Sequence, residues 1–266
     1  MYCWKRHPRT VTLICQIGLV FSLLVLCWVA GCGTGNPFPT GSYDRGAHYN
    51  SHGKHHEAVQ ALETFIRQNP TDSLAARAQY LKALSYMEID EYPLAAVELK
   101  ILRKDYPTSE LVEDAFFHEG VAYFKQVGRV QRDLTGAYES RSHFGQFLRV
   151  FPGSDRLPEV EEYLKRISDL IVEKQLGVAD VYRHLGRHKA AMLALETVLE
   201  EEPGSTRLDE VLYYLGAAAI RAENYDQARS AFQQLLAEFP ESPFAGKSRS
   251  GLDDLPTEDL TAEDES

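Results

Sequence analysis

Apolar residues recur along this chain at helical spacing, and the helical stretches are broken at five similar points. The breaks read "QNPTDS", "DYPTS", "VFPGS", "EEPGS" and "EFPES". Aligned on Pro70, Pro107, Pro152, Pro203 and Pro240, the chain places a small residue twelve positions upstream each time: Ala58, Ala95, Ser140, Ala191 and Ala228. Eight positions before each proline stands a large apolar residue, Leu62, Leu99, Phe144, Leu195 or Phe232, and fifteen before it His55, Tyr92, Ala137, His188 or Tyr225. In four units Tyr49, Tyr86, Tyr182 or Ala219 precedes the small residue by nine, and Gly46, Ala83, Ala179 or Gly216 lies three further back. In the third unit this pair is Gly120 and Tyr123, displaced upstream by eight. The pattern predicts a helix-turn-helix unit repeated five times. Small positions let two antiparallel helices approach closely while the large slots fill the space beside the contact. Proline, with no N–H, ends each second helix. Ser109, Ser154, Ser205 and Ser242 are expected to cap the next helix, with Asp72 or Ser73 doing so in the first unit.

The proline spacings are 37, 45, 51 and 37. The eight extra residues in the second interval fall around "QVGRVQRDLTG" and predict a lengthened turn inside unit three. The fourteen extra residues in the third fall in "LPEVEEYLKRISDLIVEKQLGVADVYRHLG", which has no internal proline after its start, so the first helix of unit four should run about four turns long and could brace two halves of the molecule. The Gly/Ala, Tyr, Ala, Pro register resembles the tetratricopeptide repeat (TPR). That resemblance implies an all-α protein, an α-solenoid of five TPR-like hairpins over residues 43–250.

The first 31 residues differ from the rest. "WKRHPR" is a basic start, and "VTLICQIGLVFSLLVLCWVA" is an apolar run of export-signal type. A run of this length could also remain as a membrane anchor. It closes, however, on "VAGC", which resembles the lipobox of bacterial lipoproteins, with Val29 where leucine is commonest. The resemblance implies that residues 1–31 are removed and that Cys32 becomes an acylated N-terminus, followed by a flexible tether over 32–42. Cys3, Cys15 and Cys27 would leave with the signal, so the mature chain could form no internal disulfide. Cleavage removes Lys5, Arg6 and Arg9 and no acid, taking 28 basic residues to 25 against 39 acidic, a net charge of −14. That balance argues against nucleic acid as a partner. Residues 251–266, "GLDDLPTEDLTAEDES", carry no basic residue and predict a disordered acidic tail.

Candidate chemistry changes this picture little. "HEGVA" at His118 and Glu119 lacks the second histidine of a zinc-protease helix, and Glu119 is expected to be a solvated helix residue. His48 and His52 are spaced to clasp a metal on one helix face, with His55 or His56 nearby, yet His55 occupies a packing slot. "AGKS" at residues 245–248 lacks the upstream glycine of a phosphate loop. No nucleophile pairs with a base. The chain therefore reads as a non-enzyme, with no catalytic residue, metal or cofactor.

The lipobox, the tether, the five repeats, the stretch "AQYLKALSYMEIDEYPLAAVELKILRKDYPTSELVEDAFFHEGVAYFKQ", "RDLTGAYE" and the long fourth-unit helix together resemble the BamD family, outer-membrane lipoproteins of the β-barrel assembly machinery. The resemblance covers roughly residues 32–245. It implies a lipid-anchored scaffold facing the periplasm, working with BamA and other machinery subunits and binding unfolded outer-membrane proteins. Gly33, standing where aspartate would retain a lipoprotein at the inner membrane of enteric bacteria, fits an outer-membrane address. Family members often carry arginine at a BamA contact nine residues before the fourth proline, where this chain has Ala194. The repeats alone also fit a TPR lipoprotein regulating peptidoglycan synthesis, or a pilotin-like factor for pilus or secretin assembly. TPR geometry places the first helix of each hairpin on the concave face, so Tyr43, Asn50, Arg77, Tyr80, Phe117, Phe124 and Lys125, with Met87 and Glu88, are expected to line a groove for substrate, or else to fill the core between hairpins.

Overall fold

The computed structural model describes residues 36–128 and 133–256. The expected signal peptide, Cys32 as the expected lipid attachment point, and residues 257–266 of the expected tail lie outside the described residues. The described chain is all helix and turn, and its eleven helices form five antiparallel hairpins plus a last helix: an α-solenoid. The hairpins are α1 (Tyr43–Ser51) with α2 (His55–Gln68), α3 (Ala75–Glu88) with α4 (Tyr92–Asp105), and α5 (Val112–Lys125) with α6 (Thr135–Val150). They continue with α7 (Leu157–His184) against α8 (His188–Glu201) and α9 (Leu208–Arg221) against α10 (Tyr225–Glu238), and α11 (Ala245–Asp253) packs on α10. Helix α11 reaches three residues into the stretch expected as tail, and Leu255 beyond it is buried among Ala219, Ala228 and Ala231. Hydrophobic side chains at 252 and 255 explain the extension, because they can cover the open end of the last hairpin.

The small slots are closed to solvent: Ala58, Ala95, Ser140 and Ala228 are fully buried and Ala191 nearly so. Their partners show why. A Cβ on Gly46 would stand 2.5 Å from the Leu62 side chain, and one on Gly120 would stand 2.7 Å from the Phe144 ring; Gly216 meets Phe232 in the same way. The glycine of each first helix thus receives the large residue eight before the proline. Where that first-helix position is Ala83 or Ala179, the opposite residue is leucine, Leu99 or Leu195. In unit three the second-helix slot is serine, and its hydroxyl donates to the Gly120 carbonyl at 2.9 Å.

Four hairpin tips close alike. The amide of Lys54, Glu91, Arg187 or Asn224 donates to the carbonyl five residues back at 2.9 Å. The residue just before it is left-handed: Gly53 at φ 70°, Asp90 at 60°, Gly186 at 68° and Glu223 at 60°. In unit three the first helix ends at Lys125 and the second begins only at Thr135, a wider interval than at the other four tips, as the spacing predicted.

The serines act differently from the expectation. Each helix starts later than the serine, with Leu111, Arg156, Arg207 or Phe244 at the N-cap, so the hydroxyl holds the amide of that residue and not of the helix itself. The distances are 3.2, 3.0, 3.1 and 3.0 Å, and Asp72 does the same for Leu74 at 2.7 Å. Three of these hydroxyls also donate to a carboxylate of the preceding unit: Ser154 to Glu113, Ser205 to Asp169 and Ser242 to Asp209. The turn is a tie between repeats.

Helix α7 has 28 residues against 14 in α3, α5 and α9. Val160 and Ile167 of its first half, with Ile171 at its middle, enter the aromatic core of unit three with Phe116, Phe117, Phe144 and Phe147. Val172 and Ala179 of its second half enter the core of units four and five. One helix therefore serves two cores.

Candidate protein-binding groove

Helices α1 and α3 and the turns after α2 and α4 enclose a groove of about 920 Å³. Its wall carries Tyr43 from α1, Arg77 and Tyr80 one turn apart on α3, and Tyr106, whose hydroxyl reaches the Pro70 carbonyl at 3.3 Å. Leu74, Leu81, Leu84 and Leu111 supply apolar surface. Asp72, Asp105 and Glu110 are its acids, and Arg77 is the basic residue among the groove's described lining residues. Tyr43 is held edge-on against Phe65, ring centroids 6.1 Å apart.

Tyr80 is anchored from the next repeat. Its hydroxyl oxygen lies 3.1 Å from His118 Nδ1, which lies 2.9 Å from the Asp114 carbonyl. Burial, helped by the Asp114 carboxylate, pushes the Tyr80 phenol up to about 12. Burial also pulls His118 below the ordinary 6.5. The Asp114 carboxylate is taken by Arg156, whose Nε and Nη2 reach it at 2.9 and 2.5 Å. Arg156 also lies over the Phe117 ring at 4.7 Å and pairs with Glu159. A second hollow of about 550 Å³, sharing Glu110 with the groove, is lined by these acids together with Glu113 and Asp155.

Of the seven residues expected to bind substrate, the structure brings Tyr43, Arg77 and Tyr80 together. Phe117 is 4% exposed, packed between Phe144, Phe147 and Tyr163, so it belongs to the core. Phe124 is covered by Tyr163 and by the Arg166 guanidinium at 4.7 Å, because the long α7 lies across it. Asn50 is drawn inward, donating to Ser85 at 2.9 Å. Lys125 is exposed but does not line the groove. The missed lining residues are in the punctuation itself: Asp72, Pro107 and Glu110 sit in turns read only as helix ends.

Glu119 corrects another expectation. It is 3% exposed, and its carboxylate takes Arg103 and the Tyr123 hydroxyl while His143 Nε2 lies 3.8 Å away. The Arg103 guanidinium stacks 3.6 Å from the Phe116 ring centroid, and His143 Nε2 lies 2.8 Å from the Phe116 carbonyl. Buried Lys82 likewise meets Glu98 at 2.8 Å. The Glu119–Arg103 pair joins units three and two, the Lys82–Glu98 pair lies within unit two, and none of these residues lines the groove. His48 and His52 have ring centroids 4.0 Å apart, and Nδ1 of His52 is bonded to the His48 carbonyl at 2.8 Å, which turns that nitrogen away from any shared ligand.

Comparison with known proteins adds a family context. The family model described as YfiO, outer membrane lipoprotein, matches residues 38–215, and a tetratricopeptide-repeat model matches 210–242. The outer membrane protein assembly factor BamD of Caulobacter vibrioides is 21% identical over 230 residues, covering 83% of this chain and 75% of that one. BamD of Neisseria meningitidis serogroup B is 22% identical over 209 residues, 75% of this chain and 78% of that protein. Among solved structures, the TPR2AB-domain:pHSP90 complex of yeast Sti1 is 14% identical, covers 78% of this chain and 80% of that one, and has a TM-score of 0.42.

Proposed function

Because the chain belongs to the YfiO family of outer membrane lipoproteins, we propose that it is a scaffold of outer-membrane β-barrel protein assembly, anchored through Cys32 to the periplasmic leaflet of the outer membrane. In this reading the scaffold is not an enzyme. It binds BamA and other machinery subunits, and it receives unfolded barrel proteins in the groove of its first two repeats. The observation that carries the substrate part is the convergence of Tyr43, Arg77, Tyr80 and Tyr106 on one open groove. Aromatic walls with a single guanidinium suit an extended segment that ends in an aromatic residue and a free carboxylate. Barrel proteins consist of such alternating strands. The BamA contact would use a surface other than the arginine common in the family, since Ala194 on α8 offers no charge, whereas its neighbour Leu193 is 65% exposed.

Affinity purification of the lipoprotein from detergent-solubilised envelopes tests the reading. Recovery of BamA is expected. Recovery of peptidoglycan synthases or of a secretin in its place would move the protein to one of those assemblies.

A further inference from the structure

The groove contains a hydrogen-bond assignment that fixes what Tyr80 can offer. His118 Nδ1 stands 2.9 Å from the Asp114 carbonyl oxygen and 3.1 Å from the Tyr80 hydroxyl. A carbonyl can only accept, so Nδ1 must carry the proton of that contact. With its one hydrogen in place, Nδ1 has no lone pair to receive the tyrosine proton, and the Tyr80 oxygen can only share the Nδ1–H as a second acceptor. The Asp114 carboxylate holds Arg156 through Oδ1 and makes no hydrogen bond to the Tyr80 hydroxyl. No acceptor for it is found among the described residues. The tyrosine O–H is therefore left to point into the groove that the ring lines, one helical turn from the Arg77 guanidinium.

We infer that His118 is a positioning residue: held as the Nδ1–H tautomer by the Asp114 carbonyl, it makes Tyr80 a hydrogen-bond donor to the ligand, so that Tyr80 and Arg77 together select a carboxylate. The inference rests on the proposed substrate groove and adds to it the residue that sets its polarity. The groups facing His118 are Tyr80 from α3, Asp114 on its own helix, Arg156 from the preceding turn and Glu159 from α7. Protonation of the second ring nitrogen, Nε2, leaves the Nδ1–H where it is. The Tyr80 donor thus persists from neutral to mildly acid pH.

The test compares two peptides copied from the last strand of a barrel protein, one with a free C-terminal carboxylate and one amidated, binding to the detergent-solubilised mature lipoprotein. Wild type should favour the free carboxylate roughly tenfold more than Tyr80→Phe does, the size of one hydrogen bond to a charged acceptor. His118→Asn, whose amide can place an N–H where Nδ1–H stood, should keep the preference within about twofold. Nitrogen-15 spectra of the histidine rings should show His118 as the Nδ1–H tautomer at neutral pH, and the preference should stay flat as the pH is lowered through the histidine range. Failure of both peptides to bind would overturn the groove reading and this inference together. Equal binding of the two peptides by wild type, an Nε2–H tautomer, or an unchanged preference in Tyr80→Phe would overturn the inference alone.

Discussion

At the scale of single residues, glycine has opposite meanings at two points of the fold. Gly120 accepts the Phe144 ring, and Phe144 is fully buried and cannot move aside. A methyl group on Gly177 in α7 would meet nothing within 4 Å, so that glycine owes nothing to packing. Alanine improves helix propensity by about 1 kcal/mol at either position. At 120 the overlap with the ring outweighs that gain, so Gly120→Ala should lower stability by about 1–2 kcal/mol, whereas Gly177→Ala should raise it by about 0.5–1 kcal/mol. Denaturant titrations of the two variants should move in opposite directions. The small slot at 120 was legible from the repeat register alone. Glu119 beside it was not, because a buried carboxylate and a solvated one have the same spacing, and only the partners that cover it, Arg103 and His143 from neighbouring helices and Tyr123 one turn along its own, distinguish them. The same cluster has a pH signature. Burial lowers the His143 pKa below the ordinary 6.5, so the unfolded chain binds the proton more tightly than the folded one. Stability should therefore fall as the pH drops from about 6.5 toward the depressed folded value and level off below it. His118 titrates in the same sense, so His143→Gln should reduce the slope of stability against pH without removing it.

At the scale of elements, the proline intervals located the long helix but understated it: four turns were expected, whereas the fourteen extra residues add four turns to an ordinary 14-residue first helix and give the 28 residues of α7. What the intervals could not give was the depth at which each turn is used. The serines after four of the prolines sit where a cap was expected, yet they serve an extra turn, and three of them also a carboxylate of the preceding repeat, because the helix begins three residues later. Phe117 and Phe124, two of the residues expected to line the groove, lie outside it for a related reason. Counting along first helices assumes that each presents one face to the groove, but α7 crosses unit three and buries Phe117 and covers Phe124 with its own Tyr163 and Arg166. Helix α7 is also the element on which the two cores depend. Proline a turn past its midpoint, Lys174→Pro, removes a helix hydrogen bond and clashes with the preceding turn at a cost of about 3 kcal/mol or more. The break leaves Ile171 of the unit-three core on one side and Ala179 of the core of units four and five on the other, with Val172 of that second core at the junction. Calorimetry should then resolve two unfolding transitions where the parent protein shows fewer, and a single undivided transition would mean that the two cores communicate by another route.

At the scale of the whole molecule, a second connection between the halves is electrostatic. Arg141 of α6 reaches across to Glu202, just past α8, with its two terminal nitrogens at 2.9 and 2.6 Å from the two carboxylate oxygens. Ser168 of α7 donates to the same carboxylate at 2.7 Å, so one buried acid gathers three elements: α6, α7 and the turn that follows α8. The side chain of Glu202 is 6% exposed and that of Arg141 is 34% exposed. The arginine can therefore recover much of its solvation if the pair is lost, and the energy at stake is that of hydrogen bonds to a charged group discounted for exposure, about 1–2 kcal/mol. That is too little to unfold the hairpins, each of which keeps its own apolar contacts. It is enough to shift how the first three repeats sit against the last two, because a stack of nearest-neighbour contacts has few other restraints on its curvature. Glu202→Gln keeps the volume and the Ser168 contact while removing the charge. It should leave helicity by circular dichroism unchanged and lower stability by that modest amount. Small-angle scattering should show a larger radius of gyration. A variant that loses the stability but keeps the radius would mean that α7 alone fixes the angle between the halves and that the ion pair only strengthens a junction already set.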